Sequence, residues 1–500
     1  MSGQLQFAGE FHLERCELIS SAGIIADITN IIVEINLFED IFKSAMTGSI
    51  IIADTNNLVD NMPVVGQEFV SFKISTPGID RSDLDFDYSK NVFCVYEVGG
   101  REKSGTSSEI VEFKICSPEL LRNERTRVSR SFEQTVDEIV TSLLTDPKYI
   151  DTKKDIFVES TSGIRKIVSP NFHPFSLIKN LTKEAMSHKD NSPHFLFFEN
   201  TRGFHFRSLQ SLYAEGISGE YHYGDKGFED ASDASGSSGR ISQAFKRALE
   251  LSVPQKNNVL ADINGGMLGS TLIMHDIYNK KYTKSTFSYF DNHNDFERLE
   301  GDTQMYAPPK YNPVPIDEES NTVGSFTDAR IHLHPTSITT DDNDAQYMTV
   351  DVNTEKAQAE EDRLGIDPDR DKTEKIYLNY ASNRADKWLL QRQQRMHELN
   401  TGMVVNMTIN GNTSVEVGQV VELYVPVPGT DHEKTGTSKH QSGRYLISKL
   451  RHSFSQPTRT HLIHLQLTKD SHPIELESVA SGQEPKKSGP PMIHRMGQQV

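Results

Sequence analysis

Two stretches far apart in this 500-residue chain repeat one small pattern: VGQEFVSFKISTPG, from Val65 to Gly78, and VGQVVELYVPVPG, from Val417 to Gly429. In each, a Val-Gly-Gln turn opens a run of alternating residues and a Pro-Gly pair closes it. The order then continues in parallel. The first copy is followed by a polar loop and NVFCVYEVGGREKSGTSSEIVEFKICS, the second by a polar loop and GRYLISKLRHSFSQPTRTHLIHLQLTK. Alternation with period two marks a strand with one face on a core. Glycine relieves the backbone where the chain enters such a strand, and Pro-Gly ends it. A three-residue match arises by chance. An ordered set of turn, strand, stop, loop and hairpin points to a structural duplication. Val65, Gly66, Gln67 and Val417, Gly418, Gln419 are its landmarks.

The rest of the chain arranges itself around these copies. Residues 1–116 are rich in Ile and Val, broken by Gly, Asn, Asp and Ser, and predict a β-barrel or sandwich. Over 117–229 the period changes. SFEQTVDEIVTSLLTD predicts a helix opened by Ser131 with Gln134 three residues on. HPFSLIKNLTKEAMSHK predicts a second helix beginning near Pro174. HFLFFENTRGFHFRSL predicts a hairpin turning at Asn200–Gly203. Residues 230–240 read as a flexible linker. A second β unit is expected from 241–290 and 376–469, including a packed helix with Ala385, Trp388, Leu389, Met396 and Leu399 on one stripe. Between these, 291–375 holds twenty-one Asp and Glu against eight Lys and Arg and reads as an acidic insertion. Residues 470–500 read as a flexible tail. The fold class expected is α+β and β-rich: two similar β-barrel domains, a middle α+β domain and an acidic insertion.

Chemistry is sparse. The net charge of -18 argues against a nucleic-acid-binding surface, which needs clustered Lys and Arg. Cys16, Cys94 and Cys116 form no CxxC pair, so neither a disulfide framework nor a zinc ribbon is indicated, and a reducing compartment fits. The N-terminus lacks a basic region followed by an apolar run, so no signal peptide is read. No phosphate loop, dinucleotide fingerprint, HExxH or GxSxG pattern occurs. His332 and His334 would share a strand face but lack a third ligand. His461 and His464 fall on opposite strand faces and read as interface or surface residues. No catalytic residue, metal site or cofactor is expected.

With this order of elements, the chain resembles the central baseplate hub protein of contractile-tailed bacteriophages, and the hub portion of type VI secretion spike proteins. The first β unit is similar to that family's first tube domain. FHPFSLIKNLTKEAMSHKDNSPHFLFFENTRGFHFRSL is similar to its middle-domain helix and hairpin. SNRADKWLLQRQQRMHELN with MTINGNTSVEVGQVVELYV and RYLISKLRHSF is similar to its second tube domain. The acidic stretch and the tail have no counterpart in that pattern. The resemblance implies a non-enzymatic homotrimer in the virion tail, made in the host cytoplasm. Six β units would then surround one axis and join a sixfold tube to a threefold spike around a channel for DNA. The implied partners are the cell-puncturing spike protein, tail tube or tube-initiator proteins and the tape measure protein. The duplicated landmarks would lie at the ring interface. Two other readings stay open: a tail-associated peptidoglycan hydrolase with a carboxylate pair in the acidic region, and a multidomain binding protein in which the repeat is chance.

Overall fold

The computed structural model describes residues 7–472 apart from 56, 63, 78–83, 104–107, 225–236, 255–257, 277–279, 302, 311–322, 336–384, 428–436 and 439. Gly78, Pro428 and Gly429, most of the expected linker and acidic insertion, and all but the first residues of the expected tail lie outside the described residues.

The first unit holds β1 (His12–Ile19), β2 (Ile25–Asp27), β3 (Ile32–Asp40), β4 (Thr47–Asp54), β5 (Phe69–Ser75), β6 (Leu84–Phe86), β7 (Phe93–Lys103) and β8 (Glu109–Cys116). They pair in the order β2-β1-β5-β7-β8-β4-β3, with β6 on β5. Alternate residues meet inside the curl, where Ile35, Leu37, Ile50, Phe72, Phe113 and Ile115 are inaccessible to solvent.

The middle unit carries β9 (Ser131–Gln134), β10 (Asp155–Val158), β11 (Arg165–Val168), β12 (Phe195–Asn200) and β13 (Gly203–Ser208). The hairpin at Asn200–Gly203 forms as its sequence predicts. The helix expected from Ser131 starts later. Ser131–Gln134 pairs with β11, and the helix runs Val136–Thr145 behind a capping box of Thr135 and Glu138. Two overlapping capping patterns compete here, and strand pairing removes the first. A second helix, Pro174–Glu184, begins at its proline.

The second unit draws on β14 (Ile217–Tyr223) and β15 (Arg247–Ser252). Next come β16 (Gly269–Asp276), β17 (Lys281–Ser288) and β18 (Ile331–Pro335), which form a separate three-stranded sheet. Then follow β19 (Met403–Asn410), β20 (Val420–Tyr424), β21 (Gly443–Ser455) and β22 (Thr460–Lys469). The path β21-β20-β14-β15-β19-β22 returns to β21 and closes a barrel. Of the stretch 241–290, therefore, only β15 joins this barrel. The barrel also takes β14 from before residue 230. Residues 237–240, expected in the linker, open the helix Ser237–Phe245.

The packed helix before β19 winds as a π-helix over Asp386–Arg392 and as an α-helix over Gln393–Thr401. The wider turn shifts the expected stripe. Leu390 is buried, while Trp388 and Leu389 are half-buried at the edge of the core beneath the β16–β18 sheet. The tail boundary moves too. Asp470, Ser471 and His472 are buried, because Asp470 is ion-paired to Arg395 at 2.5 Å.

The fold is thus α+β and β-rich. β3 pairs antiparallel with β21, from Asp40 opposite Lys449 to Glu34 opposite Ser455. That ladder fuses both β units into one 14-stranded sheet.

Candidate assembly site

The duplication shows in the pairing order of four strands. β7-β8-β4-β3 of the first unit corresponds to β21-β22-β19-β15 of the second. Two irregularities repeat as well, while a further bulge of β7, between Val98 and Arg101, has no counterpart in β21. β7 bulges between Val95 and Glu97 against β8, and β21 bulges between Ile447 and Lys449 against β22. β3 bulges between Ile32 and Glu34 against β4, and β15 bulges between Ala248 and Glu250 against β19. A bulge resets which side chains face the core, so matching bulges at matching places carry the correspondence to single residues. Val95 matches Ile447, and Glu34 matches Glu250.

Gly66 and Gly418 sit at φ 88° and 87°, a left-handed conformation open chiefly to glycine. After them the copies slip by one residue. Val95 N–H donates to the Glu68 carbonyl at 2.8 Å, and Ile447 N–H donates to the Gln419 carbonyl at 2.9 Å. Glu68 is the extra residue's counterweight. Its carboxylate folds back to accept from the N–H groups of Val65, Gly66 and Gln67 at 2.8, 2.8 and 3.0 Å. In the second copy a carboxylate from the other unit does this work. Glu39 of β3 accepts from Val417 N–H at 3.0 Å, while the Gln419 side chain accepts from Glu416 N–H at 3.3 Å. The landmark triplets therefore stand in different surroundings. Val417 is buried where the two units meet, and a Cβ on Gly418 would lie 3.1 Å from the Phe198 ring. Val65 is 66% exposed.

The strands β7-β8-β4-β3-β21-β22-β19-β15 form one continuous wall in which every neighbouring pair is antiparallel. One face of the wall supplies both cores. The other is polar, with Glu112, Lys114, Glu34, Asn36, Lys449, Arg451, His464, Asn406, Thr408 and Glu250 in alternate positions. At the centre, Arg451 clasps the seam between β3 and β21. It donates to Asn36 at 2.9 Å and pairs with Glu34 at 3.2 Å, and Ser453 adds a bond to Glu34 at 3.0 Å. An open groove of about 780 Å³ runs along this face, past Phe38, Asp40, Lys449, Arg451, Thr408 and Glu250.

Buried charge fixes the wall to the rest of the chain. Lys154 bridges Glu119 at 3.0 Å and Glu199 at 2.5 Å, and Glu199 accepts from Met46 N–H of the first unit and from the Ser117 hydroxyl. Burial pushes the Glu39 carboxyl well above the usual range, with Glu416 nearby adding to the shift. His461 is not at the surface. It stacks on Phe454 with centroids 4.0 Å apart and meets His452 at 3.0 Å, and burial drives both imidazoles far below their usual range. His464 lies on the polar face against Thr408 at 3.1 Å. Sequence patterning missed Glu39, Arg395 and Asp470, because isolated charges carry no periodic signal.

His332 and His334 share a face of β18, and His334 packs edge-on against Trp388. Among the described residues no group of three or more His, Cys, Asp or Glu could hold a metal ion. The three cysteines are free and buried, and burial pushes the thiols of Cys94 and Cys116 up to about 12. No described helix is long and apolar enough to cross a membrane.

No family model matches the chain. A probable baseplate hub protein of Vibrio phage KVP40 is 22% identical over 448 residues, which is 89% of this chain and 91% of that protein. Among solved structures, a tail protein from Neisseria meningitidis MC58 aligns with TM-score 0.47 at 9% identity, covering 92% of this chain and 97% of that one. A 43 kDa tail protein of prophage MuSo2 from Shewanella oneidensis aligns with TM-score 0.46 at 10% identity, covering 92% and 99%. With its order of elements and a relative matched over nearly its full length, the chain is similar to the baseplate hub proteins of bacteriophages.

Proposed function

We propose that this chain is the structural baseplate hub of a contractile phage tail. It acts as a homotrimer whose six β units surround one axis and form a pseudo-sixfold ring. The ring joins a sixfold tail tube to a threefold cell-puncturing spike and leaves a central channel for DNA. Its partners are the spike protein, tail tube or tube-initiator proteins and the tape measure protein, and its place is the virion tail. The role is architectural and not enzymatic. One observation carries the reading: two β units that share four strands in one order, with two matching bulges, are fused side by side through one sheet. A chain that presents the same unit twice per threefold step converts threefold order into sixfold order. The likeness to a probable baseplate hub protein supports it.

The test is the native mass of the purified chain, with particle images viewed down the axis. A trimer with a six-lobed central ring is expected. A chain that stays monomeric both alone and with the spike protein would overturn the proposal.

A further inference from the structure

Where the middle unit meets the first, one ammonium is shared by two carboxylates. Lys154, the residue before β10, meets Oε1 of Glu199 on β12 at 2.5 Å and Oε2 of Glu119 on the helix Pro118–Arg125 at 3.0 Å. The side chains of Lys154, Glu119 and Glu199 are 7%, 4% and 1% exposed. An ion pair uses one carboxylate. The second leaves an excess negative charge where solvent barely reaches, and such a site draws one carboxyl toward its neutral acid. Burial raises the Glu199 carboxyl above its usual range.

The three groups are placed for more than attraction. A C–O bond adds about 1.2 Å, so Cδ of Glu199 lies within about 3.7 Å of the Lys154 nitrogen. Reacting atoms about 3–3.5 Å apart are poised for attack. Oε2 of Glu199 accepts from Met46 N–H at 2.7 Å, a donor aimed at the oxygen that gains charge when an amine adds to Cδ. The Ser117 hydroxyl donates to Oε1, the oxygen that would leave, at 2.9 Å. Glu119 reaches the same nitrogen through Oε2, while the Thr152 hydroxyl steadies its Oε1 at 2.8 Å. The Phe204 ring, 5.8 Å from the ammonium, gives the site an apolar wall. From this geometry we infer that Lys154 and Glu199 condense into an isopeptide bond inside the folded chain, with Glu119 relaying the proton.

The step balances within the cluster. Lys154 passes one proton to Oε1 of Glu199, which leaves a neutral amine and a neutral acid. The amine lone pair attacks Cδ, and the displaced π pair moves onto Oε2 beneath the Met46 donor. Glu119 takes a second proton from the nitrogen and returns it to Oε1. The Cδ–Oε1 bond then breaks and water leaves. One C–N bond forms, one C–O bond is lost, and Glu119 ends as it began. The product replaces a buried ion pair with a neutral amide, which removes the cost of keeping two charges from water. Lys154 stands at the entry to β10 and Glu199 near the end of β12, with β13 between them. The bond therefore ties the outer strands of this sheet across the central one. Burial alone would lower the Lys154 ammonium, but Glu199 and Glu119 outweigh it and hold it above its usual range. The first proton transfer is therefore rare, and the bond forms slowly. It needs neither the ring nor its partners.

The experiment is the mass of the full-length chain, measured intact after denaturation and followed through prolonged incubation of the folded protein at neutral pH. The unaltered chain is expected to lose the mass of one water. Its tryptic digest should lack cleavage after Lys154 and contain a branched peptide joining Lys154 to Glu199. Glu119→Gln keeps the shape of the side chain but cannot carry the proton, and should stay at full mass. Lys154→Arg should do the same. The first reading is made on the unaltered chain, so a variant that fails to fold does not decide it. An unaltered chain that keeps its full mass throughout would overturn the bond and leave the cluster a plain ion pair. A water lost between any other residues would overturn it as well. The same branched peptide formed at the same rate in Glu119→Gln would remove the relay.

Discussion

Asp470 is a residue whose environment decides its charge. Burial alone raises its carboxyl, yet Arg395 and Arg298 more than offset this and hold it below the usual carboxylate range. It also accepts from Tyr213 at 3.0 Å and from Leu299 N–H at 3.1 Å. Taking one partner from a buried pair strands the other, so Asp470→Asn should cost about 3–5 kcal/mol in urea unfolding. Its contribution is present above the ordinary carboxylate range and fades as pH falls through its lowered folded value. His452 and His461 work in the same direction by another route. Both stay neutral when folded, but the unfolded chain binds their protons below about pH 6.5. Their contribution to stability should therefore be flat above that pH and fall beneath it, by about 1.4 kcal/mol per pH unit for each histidine. Replacing both with Gln should remove that part of the slope, read as unfolding midpoints from pH 7.5 to 4.5; an unchanged slope would mean the pair is not buried neutral. The placement of His461 was not legible from HLIHLQL. Alternation put it opposite His464 correctly, but only the fold reveals that its side of β22 is sealed by Phe454.

Within single elements, the two landmark glycines share a backbone angle and differ in surroundings. An alanine at either must accept a left-handed conformation, about 1–2 kcal/mol. At Gly418 the new methyl also meets Phe198, whereas at Gly66 the nearest atom is the Tyr96 carbonyl at 3.7 Å. Gly418→Ala should therefore destabilise more than Gly66→Ala, compared by denaturant midpoint at equal slope. Equal losses would place Gly418 away from the middle unit. The glycines, the alternation and the order of elements along the chain were legible because they are local. The bulges were not, since register is set by the partner strand. Nor was the π-turn at Asp386–Arg392, where packing, not spacing, selects which leucine is buried.

Over the whole molecule, the sequence displayed two β units but not their fusion. Glu34 and Ser455 stand at opposite ends of the chain, and no periodicity links them. The 13-residue strand β21 serves both units, giving Leu450 to the second core and Phe454 to the first. Phe454→Ala should cost about 3–5 kcal/mol. Because one strand is shared, both β units should melt in a single calorimetric transition in the parent and in the variant. A first unit that melts apart from the second would contradict this coupling.

That shared strand also sets a clock on synthesis. The first unit's own segment ends at Cys116, but its β3 edge and its core wait for Phe454. At about 5–20 residues per second, the interval is on the order of tens of seconds. Throughout it a nascent chain carries a bare strand beside others on the same message. Glu34 and Asp40 on that strand act as charged gatekeepers against mispairing. The last hairpin among the described residues is the one that finishes the first domain.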